Sequence, residues 1–115
     1  MGVMQVGKEY MIAIMKEPNK KARAIKIPKR ISNIRDIIGG EFEIIQYEKI
    51  LVMYNKEQDS NSLKVNNVLK DLSFKGTVVL TGNIETVGDM RSLNKRELGF
   101  YMNRINIKEM VNEFE

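Results

Sequence analysis

The side chains of this chain that can do chemistry are carboxylates, amines, guanidinium groups, amides and hydroxyls, because histidine and cysteine are both absent. That absence excludes thiol nucleophiles, Ser–His and Cys–His pairs, thiolate or imidazole zinc sites and disulfides. Ser32 and Ser92 have no histidine to act as their base, and no motif supports a Lys-assisted or purely carboxylate mechanism. Glu41 and Glu43 lie two apart on an expected strand and therefore share a face. Two carboxylates can hold Mg²⁺, but no further oxygen ligands accompany them, and solvated strand-face charge is the better reading. The Gly82–Gly88 spacing in TGNIETVGD matches neither the P-loop nor the dinucleotide fingerprint. Asn66 and Asn67 read as capping or turn residues of a short helix. The expectation is a chain that is not an enzyme and uses no cofactor and no metal.

Binding surfaces are better marked. Between Lys16 and Arg35 the chain carries eight cations against Glu17 alone, a net +7, while residues 36–115 sum to −3. Lys16, Lys20, Lys21, Arg23, Lys26, Lys29 and Arg30 form a basic arm over residues 16–30 that can neutralise phosphates and release their counterions. The same cations also suit a solvated turn or an exposed sheet edge, which Lys and Arg protect from pairing. No helix-turn-helix or RNP-like signature accompanies them. A second candidate is Phe100. On a helix over 95–104, Leu98, Tyr101, Met102 and Ile105 share one stripe, and at about 100° per residue Phe100 falls nearly opposite it, between Arg96 and Arg104. An aromatic flanked by arginines suits a protein interface or base stacking. Met110 or Phe114 folding back over the ring is the alternative.

These residues need a frame. The apolar run 10–15 reads as a buried strand, EPNKK as a turn in which Asn19 tolerates left-handed geometry, and 22–27 as a second strand. Ser32 can cap a helix with Ile34, Ile37 and Ile38 at helical spacing, closing on Gly39-Gly40. Strands over 42–47 and 50–55 form a second hairpin around Glu48 and Lys49, followed by a solvated loop over 56–62. Residues 63–72 fit a short helix imperfectly, and 77–82 is a β-branched fifth strand with a loop running on through Gly88. Asn94 with Glu97 makes a capping box with a Leu93–Leu98 staple, and Asn106 with Glu109 repeats it, which predicts two helices, 95–104 and 107–114. Hairpin-linked strands with helices on one face make an α+β fold, a mainly antiparallel sheet of about five strands.

The chain's 115 residues suit a single domain, with 1–9 as a loose lead-in and 107–114 as a C-terminal helical extension. An apolar fraction of 43% and a charged fraction of 30% are normal for a globular protein. No apolar run approaches the ~20 residues that cross a bilayer, and the start, MGVMQVGKEY, lacks a signal-peptide layout. The expected setting is cytoplasmic, without a membrane partner.

The order of MIAIMKEPNKKARAIKI, IRDIIGGEFEII, the Asn66 segment LKVNNVL, the glycine-bounded strand from Gly76 to Gly82, and SLNKREL resembles a bacterial and phage family, domain of unknown function 3846. The shared features are the Glu17-Pro18 turn, Gly39-Gly40 before Glu41-Phe42, and Ser92-Leu93 before a helix, over roughly residues 10–105. The chain departs from the family pattern at Lys64 and Asn67, where Pro and Arg are common, and in its final helix. The resemblance implies an association with phages and mobile elements, and no activity or catalytic residues. The functional expectation is a small non-enzymatic interaction module that binds a protein partner or self-associates as a homodimer. The alternative is a small nucleic-acid-binding protein using the basic hairpin 16–30.

Overall fold

The structure, a computed structural model, describes residues 9–69, 71–84 and 89–113, excluding the side chains of 84, 89 and 107–113. The expected lead-in therefore lies, apart from Glu9, outside the described residues, as does the 85–88 part of the loop.

Ten elements follow in order: β1 (Tyr10–Lys16), β2 (Arg23–Pro28), α1 (Ile31–Ile38), β3 (Phe42–Tyr47), β4 (Ile50–Asn55), β5 (Val65–Leu69), β6 (Leu72–Lys75), β7 (Val78–Ile84), β8 (Asp89–Arg91) and α2 (Lys95–Glu113). Six strands form one antiparallel sheet in the order β2-β1-β7-β4-β3, with β8 pairing β7, and β5-β6 form a separate two-stranded sheet. The α+β antiparallel architecture is the one the hairpin patterns predict. The strands richest in apolar residues, β1, β7 and β4, take the centre, where both faces are buried, and β2 and β3 are the edges.

Alternation along the central strands divides the core in two. Ile14, Ile50, Val52, Val78 and Leu80 face α2 and the β5-β6 hairpin. Met11, Ala13, Leu51, Met53 and Val79 face α1 through Ile34 and Ile38. The helices thus cover opposite faces of the sheet. This corrects the expectation of helices on one face, and the physical cause is that three central strands are apolar on both sides, so each face needs its own cover.

Three further expectations change. Residues 63–72 do not form a helix: Asn66 and Val68 point inward while Val65 and Asn67 point out, a period of two. The buried Asn66 amide donates to Lys16 O and to Gly76 O, both at 2.8 Å, tying the small sheet to the large one. The two C-terminal helices are one continuous helix, because Asn106 does not cap. Its Oδ1 accepts the Ala22 N–H at 3.0 Å instead. Ser32 is not the cap of α1: Arg30 occupies that position with extended φ −141° and ψ 141°, and Ser32 lies inside the helix.

Other local signals hold. Gly39 ends α1 with φ 89°, and the Gly39 and Gly40 N–H groups both donate to Arg35 O. Asn19 takes φ 63° in the turn between β1 and β2.

Candidate partner-binding groove

The site begins at the N-terminus of α2. The capping box forms: Asn94 Oδ1 accepts the Glu97 N–H at 2.8 Å, and Glu97 Oε1 accepts the Asn94 N–H at 3.0 Å. Just before it, Ser92 Oγ accepts the Ile12 N–H at 2.9 Å, and the Leu93 N–H donates to Ile12 O at 2.9 Å. The Ser-Leu pair therefore stitches the entry of α2 to β1, and the Ser92 hydroxyl is committed to structure. Arg91 of β8 grips Glu97 with two bonds, 2.7 and 2.9 Å, and also donates to Asn83 O and Ser92 O. Its side chain crosses Gly82, its cross-strand partner, so closely that a Cβ there would lie 2.2 Å from Nη1. The Arg91 guanidinium holds the Glu97 carboxyl below the usual carboxylate range, against the opposing effect of burial.

With α2 fixed, Tyr101 and Ile105 turn into the core and Phe100 turns out, 51% exposed. The β3–β4 turn meets this part of the helix. Glu48 sits there at φ 56°, a left-handed conformation that costs a non-glycine residue on the order of 1 kcal/mol. Its carboxylate accepts the Tyr101 hydroxyl and lies 3.8 Å from Arg104 Nη1. Burial first, and this hydrogen bond second, push the Tyr101 phenol above its ordinary range. The Arg104 guanidinium carbon stands 5.2 Å from the centre of the Phe100 ring, and Tyr101 meets that ring edge-on at 5.0 Å. Glu48, Lys49, Arg96, Glu97, Phe100 and Tyr101 line a groove of about 420 Å³.

Of the residues expected to meet a partner, Arg96 and Phe100 line this groove and Arg104 braces Phe100. The backbone of 107–113 continues α2 rather than forming a separate helix, and the two groups expected to cover Phe100, Phe114 and the Met110 side chain, lie outside the described residues. Glu48, Lys49 and Tyr101 were not foreseen. Tyr101 was legible only as a core residue, and nothing local links it to a turn 53 positions away.

The basic arm is not gathered into one surface. Lys16 is fully buried, its Nζ donating to Glu17 O at 2.8 Å, because its strand position faces the core between Ile14 and the β5-β6 hairpin. It therefore cannot reach a phosphate. Lys20 and Arg23 each bridge Glu17, at 3.1 and 3.3 Å, while Lys21 is exposed. Lys26 lies 5.4 Å over the Tyr10 ring, on the sheet face opposite to that of Arg23. Lys29 and Arg30 stand beyond the other end of β2, roughly 20 Å along the strand from the turn. The exposed cations of the arm lie along and beyond β2, at the other side of the sheet from the β3–β4 turn that borders the groove.

Glu41 and Glu43 take separate neighbours: Glu41 bridges Arg35 at 3.0 Å, and Glu43 stands opposite Tyr54 in the β3–β4 register. Among the described residues no helix is long and apolar enough to cross a membrane.

No curated protein and no solved structure matches the chain. One family's sequence model, described as domain of unknown function (DUF3846), matches residues 11–106. Those residues run from the buried Met11 of β1 to the Asn106–Ala22 bond. They include the Asn66 clamp, the Gly39 helix end and the Ser92-Leu93 stitch. The chain belongs to the DUF3846 family.

Proposed function

We propose that this chain is a non-enzymatic interaction module of a phage or other mobile element, acting in the host cytoplasm and binding a protein partner through the groove beside Phe100. The observation that carries this reading is a half-exposed phenylalanine braced by Arg104 on the rim of a cavity, the composition of an interface anchor. The charges around it define the partner. Glu97 is engaged by Arg91, and Glu48 by Tyr101 and Arg104. Lys49 and Arg96 make no ion pair among the described residues, so the groove presents cations to a ligand. The partner segment carries an apolar or aromatic anchor next to Asp or Glu.

Affinity capture from the native host, run with the parent chain, Phe100→Ala and Arg96→Glu, tests this. The parent retains a protein partner at high salt, and both variants lose it with unchanged melting curves. Capture that ignores both substitutions overturns the reading. Nucleic acid captured only at low salt, and lost on reversing Lys20, Lys21 and Arg23 to Glu, would move the function to the basic turn.

A further inference from the structure

The two edges of the main sheet are finished differently. On β2, the outer side offers the N–H groups of Ala24 and Lys26 only, since Pro28 has none, and Arg23 and Lys26 are exposed beside them. Proline and cations are how lone edges are protected against further pairing. On β3 there is no proline, no cation and no bulge: its six residues read Phe42-Glu43-Ile44-Ile45-Gln46-Tyr47, in continuous register with β4.

The pairing also says which groups of β3 are left over. The Lys56 N–H donates to Glu41 O, which makes 41/56 a hydrogen-bonded pair, so residues 43, 45 and 47 bond inward to β4. Phe42, Ile44 and Gln46 therefore direct their backbone N–H and C=O outward. Ile44, in the middle, is 44% exposed on the face that α1 covers farther in.

We infer that β3 pairs with β3 of a second copy, antiparallel about a two-fold axis at Ile44, joining two sheets into one. This inference is independent of the groove. In that register Ile44 faces its own copy and Phe42 faces Gln46, which satisfies all three outward N–H groups of each chain. The two Ile44 side chains meet across the axis, and Glu43 stands opposite Ile45 rather than opposite the other Glu43. A one-residue slip would bring the carboxylates face to face or turn Ile44 away from its copy, so the charge pattern selects this register. A head-to-tail pairing of β3 with β2 would meet Pro28 and would leave both outer edges open.

A six-residue edge makes a small interface, so the dimer is transient and forms at high protein concentration. The absence of cysteine makes the test clean. Ile44→Cys places two thiols at a hydrogen-bonded pair with Cα atoms about 5.5 Å apart, within disulfide reach. Under mild oxidation it should form a covalent dimer, while Ala24→Cys on the β2 edge should not. In sedimentation at high concentration the parent should show a dimer boundary that Ile44→Lys loses while keeping its circular-dichroism spectrum. The inference fails if the parent stays monomeric, if Ile44→Lys associates as well as the parent, or if the two cysteine variants cross-link equally. Partner capture at the groove is unaffected by either result.

Discussion

Asn106 Oδ1 accepts the backbone N–H of Ala22, a contact across 84 residues that fixes α2 against the turn between β1 and β2. Ala22 is 5% exposed, so this N–H has little access to water. Asn106→Ala should cost about 1–3 kcal/mol, the penalty of a buried donor without an acceptor. Urea unfolding should show a lower midpoint with an unchanged m-value. A loss of helicity with an unchanged midpoint would mean that Asn106 acts as a cap instead.

The Arg91–Glu97 pair should make stability depend on pH. The Glu97 carboxyl is held below its ordinary value in the fold, so its contribution is complete above the unfolded value. It is lost as the pH falls through the lower, folded value. Glu97→Gln should flatten the acid limb of a stability profile and leave the alkaline limb unchanged.

Gly82 and Glu97 should be coupled through Arg91. A Cβ at position 82 would lie 2.2 Å from Nη1, 2.6 Å from Cζ and 2.8 Å from Cγ, which forces the guanidinium off Glu97. Gly82→Ala and Glu97→Gln should therefore destabilise less together than the sum of the single changes, with a coupling of roughly 1 kcal/mol in a double-mutant cycle. Strict additivity would show that Arg91 moves aside without losing its bond.

Asn66 should tolerate no acidic replacement. Its two donors serve Lys16 O and Gly76 O at a position 1% exposed. Asn66→Asp sets a carboxylate against two carbonyl oxygens and should cost at least ~3 kcal/mol. Thermal unfolding should report that loss, and the variant should recover partly at low pH, where the carboxyl is protonated.

The Tyr101 phenol should ionise above the ordinary range of a tyrosine. Burial and the bond to Glu48 both favour its neutral form, so ultraviolet titration should show a late phenol that Tyr101→Phe removes. Glu48→Gln should bring that phenol's titration earlier without abolishing the burial effect. Phe100→Ala, at a half-exposed position, should change global stability by no more than about 0.5 kcal/mol.

What the amino-acid order determined by itself is what can be decided within four or five residues. Gly39 and Asn19 adopt the left-handed conformations their types favour, and Asn94 and Glu97 close a capping box. The helical rotation between Leu98 and Ile105 turns Phe100 outward, and two-sided apolar runs mark β1, β4 and β7 as central. Each rests on local steric or hydrogen-bond geometry. Tertiary structure decided wherever a side chain had competing partners. Asn106 could cap a helix or bind Ala22, and the buried backbone donor won because leaving it unpaired costs more than a missing cap on a helix that simply continues. Asn66 could turn a helix, but two distant carbonyls required its donors and drew residues 65–69 into a strand. Lys16, one of eight cations in its stretch, became buried through its parity in β1, which neither its charge nor its neighbours reveal. The groove is of the same kind: Glu48 and Tyr101 meet only because α2 crosses the face that the β3–β4 turn borders.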